Sequence, residues 1–264
     1  EATVQTDGSW SVTVAADDLA KLTDGDFNVS ASVQDKAGNP GSADRTLTVD
    51  TTPPTITFNK VAGDDIINSA EQQAGQVISG TTDAHPGQTV TITFNNHSYK
   101  AVVSDTGTWS VTVPAQDFLG ATDGSYQISA SVSDKAGNSS SANKQVTLNG
   151  EVPTISVNDF AQDNIVSAAE HGTPLVISGV TNAPAGQTVT ITLNNQSYTT
   201  TVNGDGTWSY TLGSGAVSAL VDGGSYVIHA SVSNSIGNSA GADRTVTVDT
   251  TPPQRGGRNR QHGG

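Results

Sequence analysis

The tetrapeptide G-[ST]-W-S occurs at Trp10, Trp109 and Trp208, each copy 99 residues after the last. A period of that length is the size of a small domain, so the chain must fold as a string of similar modules. Other strings keep the same period. S-[YF]-x-[IV]-x-A-S-V returns in slightly varied form around Val33, Val132 and Val232, and a Gly-Asn pair returns at Gly38, Gly137 and Gly237. The stretch Asp50-Thr51-Thr52-Pro53-Pro54 comes back as Asp249 to Pro253 and, more loosely, as Asn149 to Pro153. The expected modules are therefore residues 55–153 and 154–253, with one extra residue in the latter between Trp208 and Gly224. Residues 1–54 make the rear half of a third module, its first residue aligning with Lys100. The chain thus reads as part of something longer. The half module is expected to have unpaired strand edges and half a core, and to be poorly supported unless a partner completes it. The Gly- and Arg-rich stretch Gln254–Gly264 breaks the repeat and reads as a disordered tail or a cloning scar, outside the fold.

Within each module the apolar residues have period two. Tyr126, Ile128, Ala130 and Val132 alternate with polar neighbours, as do Val90, Ile92 and Phe94 and then Trp109, Val111 and Val113. That is the pattern of half-buried antiparallel strands. In residues 55–153 it predicts strands at 55–59, 77–82, 88–96, 98–104, 108–114, 125–133 and 141–149. A turn at Asn95-Asn96-His97 joins the third and fourth, and a helical turn is expected between Pro114 and Thr122. About seven short strands per ~100 residues predict an all-β fold of tandem immunoglobulin-like antiparallel β-sandwiches, arranged as a linear rod. The chain has no Cys, so no disulfide braces these sandwiches and thiol chemistry is excluded.

The formal charge is −14, from 25 acidic and 11 basic residues. Such a surface repels phosphate backbones and excludes nucleic acid as a partner. No run of ~20 apolar residues is present to insert in a membrane, and no signal peptide opens the chain. The acids are spaced so that an up-and-down sandwich would gather them at the module junctions. The first junction would hold Asp24, Asp50, Asp83 and Asp134. The second would hold Asp64, Asp65, Glu71 and Asp123, with Asn149 or Glu151 from the linker. Two like charges ~4 Å apart cost about 4 kcal/mol at an effective dielectric of 20, and a hard cation reverses the sign. Oxygen-only ligands point to Ca²⁺, which takes six to eight of them. The competing reading is that Asp and Asn cap turns by bonding nearby backbone.

D-[KAT]-A-G-N before the last strand, V-D-T-T-P-P at the linker, D-x-I-x-S-A-[AE] after the first strand and D-G-T-W-S together resemble the bacterial Ig-like repeats of giant adhesins exported by type I secretion. The resemblance covers residues 1–253. It implies an extracellular or cell-surface rod segment of an adhesin involved in virulence. Calcium ions between adjacent repeats would stiffen the rod, and host-cell glycans or surface receptors would be its targets. Asp50, Asp64, Glu71, Asp134, Asp163, Glu170 and Asp249 match the acidic positions of those repeats. Asn234 stands where the other repeats have Asp35 and Asp134, and Asn149 stands where the first linker has Asp50. Both departures imply weaker or altered calcium binding at the second junction.

Two alternatives belong to other classes. A carbohydrate-binding module would need an aromatic platform, for which Tyr99 and Tyr198 are the candidates. An accessory Ig-like domain of a secreted hydrolase would need a catalytic domain elsewhere. Gly237-Asn238-Ser239-Ala240-Gly241 spells G-x-S-x-G but lacks the strand-to-helix setting of a nucleophile elbow, so no enzyme is expected. The five His residues do not repeat and read as surface or turn residues; the three Trp residues read as core anchors.

Overall fold

The computed structural model describes residues 1–118 and 120–253, so the tail predicted at Gln254–Gly264 lies outside the described residues. By its internal contacts the chain divides into two compact units. One comprises residues 1–65, 75–121 and 125–146; the other comprises residues 66–74, 122–124 and those from 147 on.

The first unit begins with a short helix α1 (Ala16–Leu19) and a hairpin of β1 (Gly25–Gln34) and β2 (Pro40–Val49), paired from Gly25 opposite Val49 to Gln34 opposite Pro40. The apolar residues of this segment are poorly covered: Leu22, Phe27 and Ala31 are half-buried and none is buried. Val12, Val14, Val29 and Val33 are exposed, and Trp10 is 52% exposed. The equivalent Trp109 and Trp208 are 2% and 1% exposed. No side chain of residues 1–53 is buried, so Trp10, expected as a core anchor, is not one here.

The second repeat runs through β3 (Ile56–Phe58), β4 (Ile66–Asn68), α2 (Ser69–Ala74), β5 (Gln76–Thr82), β6 (Thr89–Phe94), β7 (His97–Val102), β8 (Thr108–Val113), β9 (Gly124–Ser133) and β10 (Ser139–Asn149). Strands β3, β5 and β8 form one sheet, and β10, β9, β6 and β7 follow in that order in another. Strand β10 continues into the second unit, where Thr147, Leu148 and Asn149 pair in parallel with Ile66, Ile67 and Asn68 of β4. In the first unit the alternating residues Val90, Ile92 and Phe94 point inward and are buried, while Thr89 and Thr93 face out. Trp109 meets the edge of the Phe58 ring at 5.4 Å between centroids. It lies opposite Gly80, where a Cβ would fall 1.8 Å from the Thr57 carbonyl oxygen and 2.6 Å from the indole. The β6–β7 turn has both Asn95 and Asn96 at positive φ, as a two-residue hairpin of this twist requires.

The third repeat lies wholly in the second unit. Its strands are β11 (Ile155–Val157), β12 (Ile165–Ser167), β13 (Leu175–Thr181), β14 (Thr188–Leu193), β15 (Gln196–Thr201), β16 (Thr207–Leu212), β17 (Ser225–Ser233) and β18 (Ser239–Asp249), with a short helix α3 (Ser214–Ser218) between β16 and β17. A sheet β11-β13-β16 faces a sheet β12-β18-β17-β14-β15. Between them lies one core that includes Trp208, Phe160, Ile177, Ile191, Leu212, Ile228 and Val248. Burying side chains of this size contributes about 1.5–3 kcal/mol each.

Three expectations need correction. Each complete repeat has eight strands, because β4 and β12 were missed: at three residues they are too short to show an alternation. These two strands pair in parallel, not antiparallel. In the third repeat the reason is a crossing. β11 pairs antiparallel with β13, then the chain turns through Phe160–Gln162, with Ala161, Gln162 and Asn164 at positive φ, and enters the other sheet beside β18. Finally, the chain changes sheet at β13–β14, β15–β16 and β16–β17, so the order is not up-and-down.

Candidate functional site at the linkers

The recurring Gly-Asn pair is a device for aiming the asparagine. In each repeat an Asp or Asn four residues earlier staples the loop: Asp134 Oδ1 accepts the N–H groups of Gly137 and Asn138, and Asn234 Oδ1 accepts those of Ile236 and Asn238. Gly137 and Gly237 sit at φ +101° and +88°, a conformation that favours glycine. The loop thereby delivers Asn138 and Asn238 to the linkers.

At the first linker three side chains bind successive stretches of backbone. Asp24 Oδ1 accepts the Thr51 N–H at 2.8 Å and its hydroxyl at 2.6 Å, while Asp24 Oδ2 accepts the Thr52 hydroxyl. Asn138 Nδ2 donates to the Asp50 carbonyl at 3.0 Å and to Asp134 Oδ2 at 2.9 Å. Asp83 Oδ1 accepts the Thr55 N–H at 2.6 Å. The hydroxyls of Thr51 and Thr52 and the Thr51 N–H hold the Asp24 carboxyl below its ordinary value, and the Asn138 amide does the same for Asp134.

The second linker has the same frame with different chemistry. Asp123 Oδ1 accepts the Gly150 N–H at 2.8 Å, as Asp24 does for Thr51. Asn182 Oδ1 accepts the Thr154 N–H at 2.7 Å, as Asp83 does for Thr55. Asn238 Nδ2 donates to the Asn149 carbonyl at 2.8 Å and the Glu151 carbonyl at 3.0 Å, and Asn234 Nδ2 also donates to the Glu151 carbonyl at 3.1 Å. The acids Asp50, Asp83 and Asp134 are thus replaced by the amides Asn149, Asn182 and Asn234. These three amides line one hollow of about 200 Å³ with Glu151, Val152 and Pro153. The third linker returns to acid: Asp222 accepts the Thr250 N–H at 2.7 Å and the Thr251 hydroxyl at 2.8 Å, and Asp249 accepts the Thr251 N–H at 3.2 Å.

The remaining candidate acids have local work. Glu71 Oε2 accepts the Asn68 N–H at 2.9 Å while Asn68 Oδ1 accepts the Glu71 N–H at 3.0 Å, a reciprocal cap on α2. Glu170 likewise accepts the N–H and hydroxyl of Ser167. Asp163 accepts the Ile165 N–H, and its counterpart Asp64 is exposed in the turn before β4. Asp65 pairs with Lys144 at 2.7 Å, so a cation there would have to displace the ammonium.

The donor types at the first linker, all carboxylate with nearby hydroxyl and carbonyl oxygens, fit a hard cation. Those at the second, mostly neutral amides, offer fewer charges and suit it less well. Among the described residues no three Asp, Glu or His side chains lie close enough together to hold a metal ion. The aromatic candidates are engaged elsewhere: the Tyr99 hydroxyl donates to Asp117 at 2.6 Å, and Tyr198 packs on Tyr210 at 5.0 Å. Ser239–Gly241 of the G-x-S-x-G string lies in strand β18. Sequence reasoning missed the linker role of Asn138, Asn238 and Asn182. The signal was present: Gly-Asn recurs in every repeat, and Asn182 falls 99 residues after Asp83.

Two-sheet sandwiches repeated in tandem, with each linker gripped by side chains of equivalent positions, define immunoglobulin-like repeats. A model of the bacterial Ig-like domain matches residues 1–51, 53–149 and 155–250, and the chain belongs to that family. It is 31% identical to a 1.5-MDa bacterial ice-binding adhesin, solved for insight into its host cell surface retention, over 94% of this chain and 82% of that one, with a TM-score of 0.53. It is also 31% identical to a Ca²⁺-stabilized adhesin that helps an Antarctic bacterium reach out and bind ice, over 94% of this chain, with a TM-score of 0.55. This chain covers 62% of that second structure's length. No protein among the curated relatives matches.

Proposed function

We propose that the chain is a non-enzymatic rod segment of a large secreted bacterial adhesin, held outside the cell or at its surface, where it spaces or supports attachment to host cells or other surfaces. In this reading residues 1–54, 55–153 and 154–253 are successive modules of a linear array, and adjacent repeats are each other's principal partners. The observation that carries it is the common linker frame: Asp24, Asp123 and Asp222 each bind linker backbone from the preceding module, and Asn138 and Asn238 bind it from the following one. The two adhesins that share 31% identity with the chain support the role. The sequence motifs are similar to those of the giant non-fimbrial Salmonella adhesin as well.

Calcium belongs to the same proposal. Asp24, Asp50, Asp83 and Asp134 at the first linker, and Asp222 with Asp249 at the third, are the carboxylates an ion would have to draw together, since no three of them lie close enough to hold it as they stand; the ion would neutralise their negative charge. The 31% identity with a Ca²⁺-stabilized adhesin supports this choice of ion. Extracellular modules commonly bind calcium with Kd of about 10⁻⁴–10⁻³ M. Thermal unfolding in calcium and in chelator tests the ion: a higher midpoint in calcium is expected, and equal midpoints would remove it from the account.

A further inference from the structure

We propose that the second linker is closed by an amide lock that needs no cation. The proposal rests on the reading of the linkers as joints, and concerns what holds this one. Asn238 is the only buried asparagine among the described residues, at 2% exposure. Every polar atom of its side chain is used: Oδ1 accepts the Ser69 N–H at 2.7 Å, and Nδ2 donates to the carbonyls of Asn149 and Glu151. One side chain of the third repeat thus binds the start of α2, the end of β10 and the linker. Asn68 Nδ2 answers it, donating to the Ile236 carbonyl at 3.0 Å.

The exchange of Asp134 for Asn234 makes the lock possible. At the first linker Asp134 Oδ2 takes one Nδ2 bond of Asn138, leaving a single bond from that amide to a linker carbonyl. Asn234 has no second carboxylate oxygen, so both donors of Asn238 go to the linker. Asn234 also has a donor of its own, which reaches the Glu151 carbonyl. Three amide-to-carbonyl bonds replace one, and three carboxylates are gone. A carboxylate at position 234 would face the Glu151 carbonyl with no proton between them. With Asn238 buried and every polar atom of its side chain bonded, such a network holds its parts in one arrangement.

The test is amide hydrogen exchange on the full chain, read at Ser69, in calcium and in chelator. Wild-type Ser69 is expected to exchange at the same slow rate in both. Asn238→Ala should speed it by about tenfold or more in both, with amides of core strand β14 unchanged. A wild-type Ser69 that loses protection on chelation overturns the lock, and so does an Asn238→Ala rate equal to wild type. If Asn238→Ala unfolds, seen as fast exchange in β14, then Asn234→Asp decides: faster Ser69 exchange in chelator is expected, and no change overturns the proposal. Thr51 in the same spectra reports the calcium reading separately, since its N–H belongs to the first linker.

Discussion

Asn238 and Ser69 are 169 residues apart, and the side chain of one completes a helix end of the other: Asn238 Oδ1 accepts the first N–H of α2 at 2.7 Å. The opening N–H groups of a helix have no partner within it. The second repeat therefore presents unsatisfied donors at α2, and the third repeat supplies the acceptor. Asn68 and Glu71 cap the same turn from within.

Glu71→Ala should destabilise the full chain in chelator by about 1 kcal/mol, the usual cost of losing a cap. Urea denaturation checks this. A variant that loses stability only when calcium is present would assign Glu71 to an ion instead of to the helix.

Gly179→Ala should be costly although Gly179 carries no unusual φ. It lies opposite Trp208, and a Cβ there would fall 1.8 Å from the Ser156 carbonyl oxygen and 2.5 Å from the indole. Overpacking of this kind costs about 1–3 kcal/mol. The urea midpoint should fall, while Gly204→Ala, with open space around it, should have little effect.

Acid should loosen the grip of Asp24 and Asp222 on their linkers and spare the Asn238 bonds at the second. The bonds from Thr51 and Thr52 hold Asp24 below its ordinary 3.8, and those from Thr250 and Thr251 do the same for Asp222. A depressed folded value means the stabilisation is complete above 3.8 and is lost as pH falls through the lowered value. In an NMR titration the Thr51 and Thr250 amides should shift below pH 3.8, while the Asn238 side-chain amide should not move with them. A common transition at all three would contradict this division.

Asp65→Asn should cost less than about 1 kcal/mol, since the lost Lys144 pair is partly exposed. Asparagine keeps the bond that shapes the turn: Asp65 Oδ1 accepts the Val61 N–H at 2.9 Å, and Asn164 does the same for Phe160 at 3.0 Å. Thermal unfolding of the variant measures the difference.

The sandwich was legible because Trp109, Ile128 and Val132 alternate with polar residues and return 99 or 100 residues later as Trp208, Ile228 and Val232. The alternation is a direct consequence of a sheet with one wet face. Strands β4 and β12 were not legible, since three residues cannot display a period and their partners are set by the turns at Ala62 and Ala161. The acids around the first linker were legible from spacing alone. Their individual roles were not: a carboxylate that caps a helix, such as Glu71, and one that grips a linker, such as Asp24, are the same letter class. Asn138 and Asn238 were visible as a repeated pair, yet repetition alone reads equally as turn chemistry, and only the bonds to Asp50 and Asn149 give them a task.

The central claim is that these linkers are stiff joints and that calcium stiffens the acidic ones. Small-angle X-ray scattering of the full chain in calcium and then in EGTA tests it most directly. The account predicts a longer, narrower distance distribution in calcium and a broader one in EGTA, with the added freedom at the first linker and the second still closed by Asn238. Superimposable curves would mean that the acids are turn and linker caps only, and that calcium has no part in the joint.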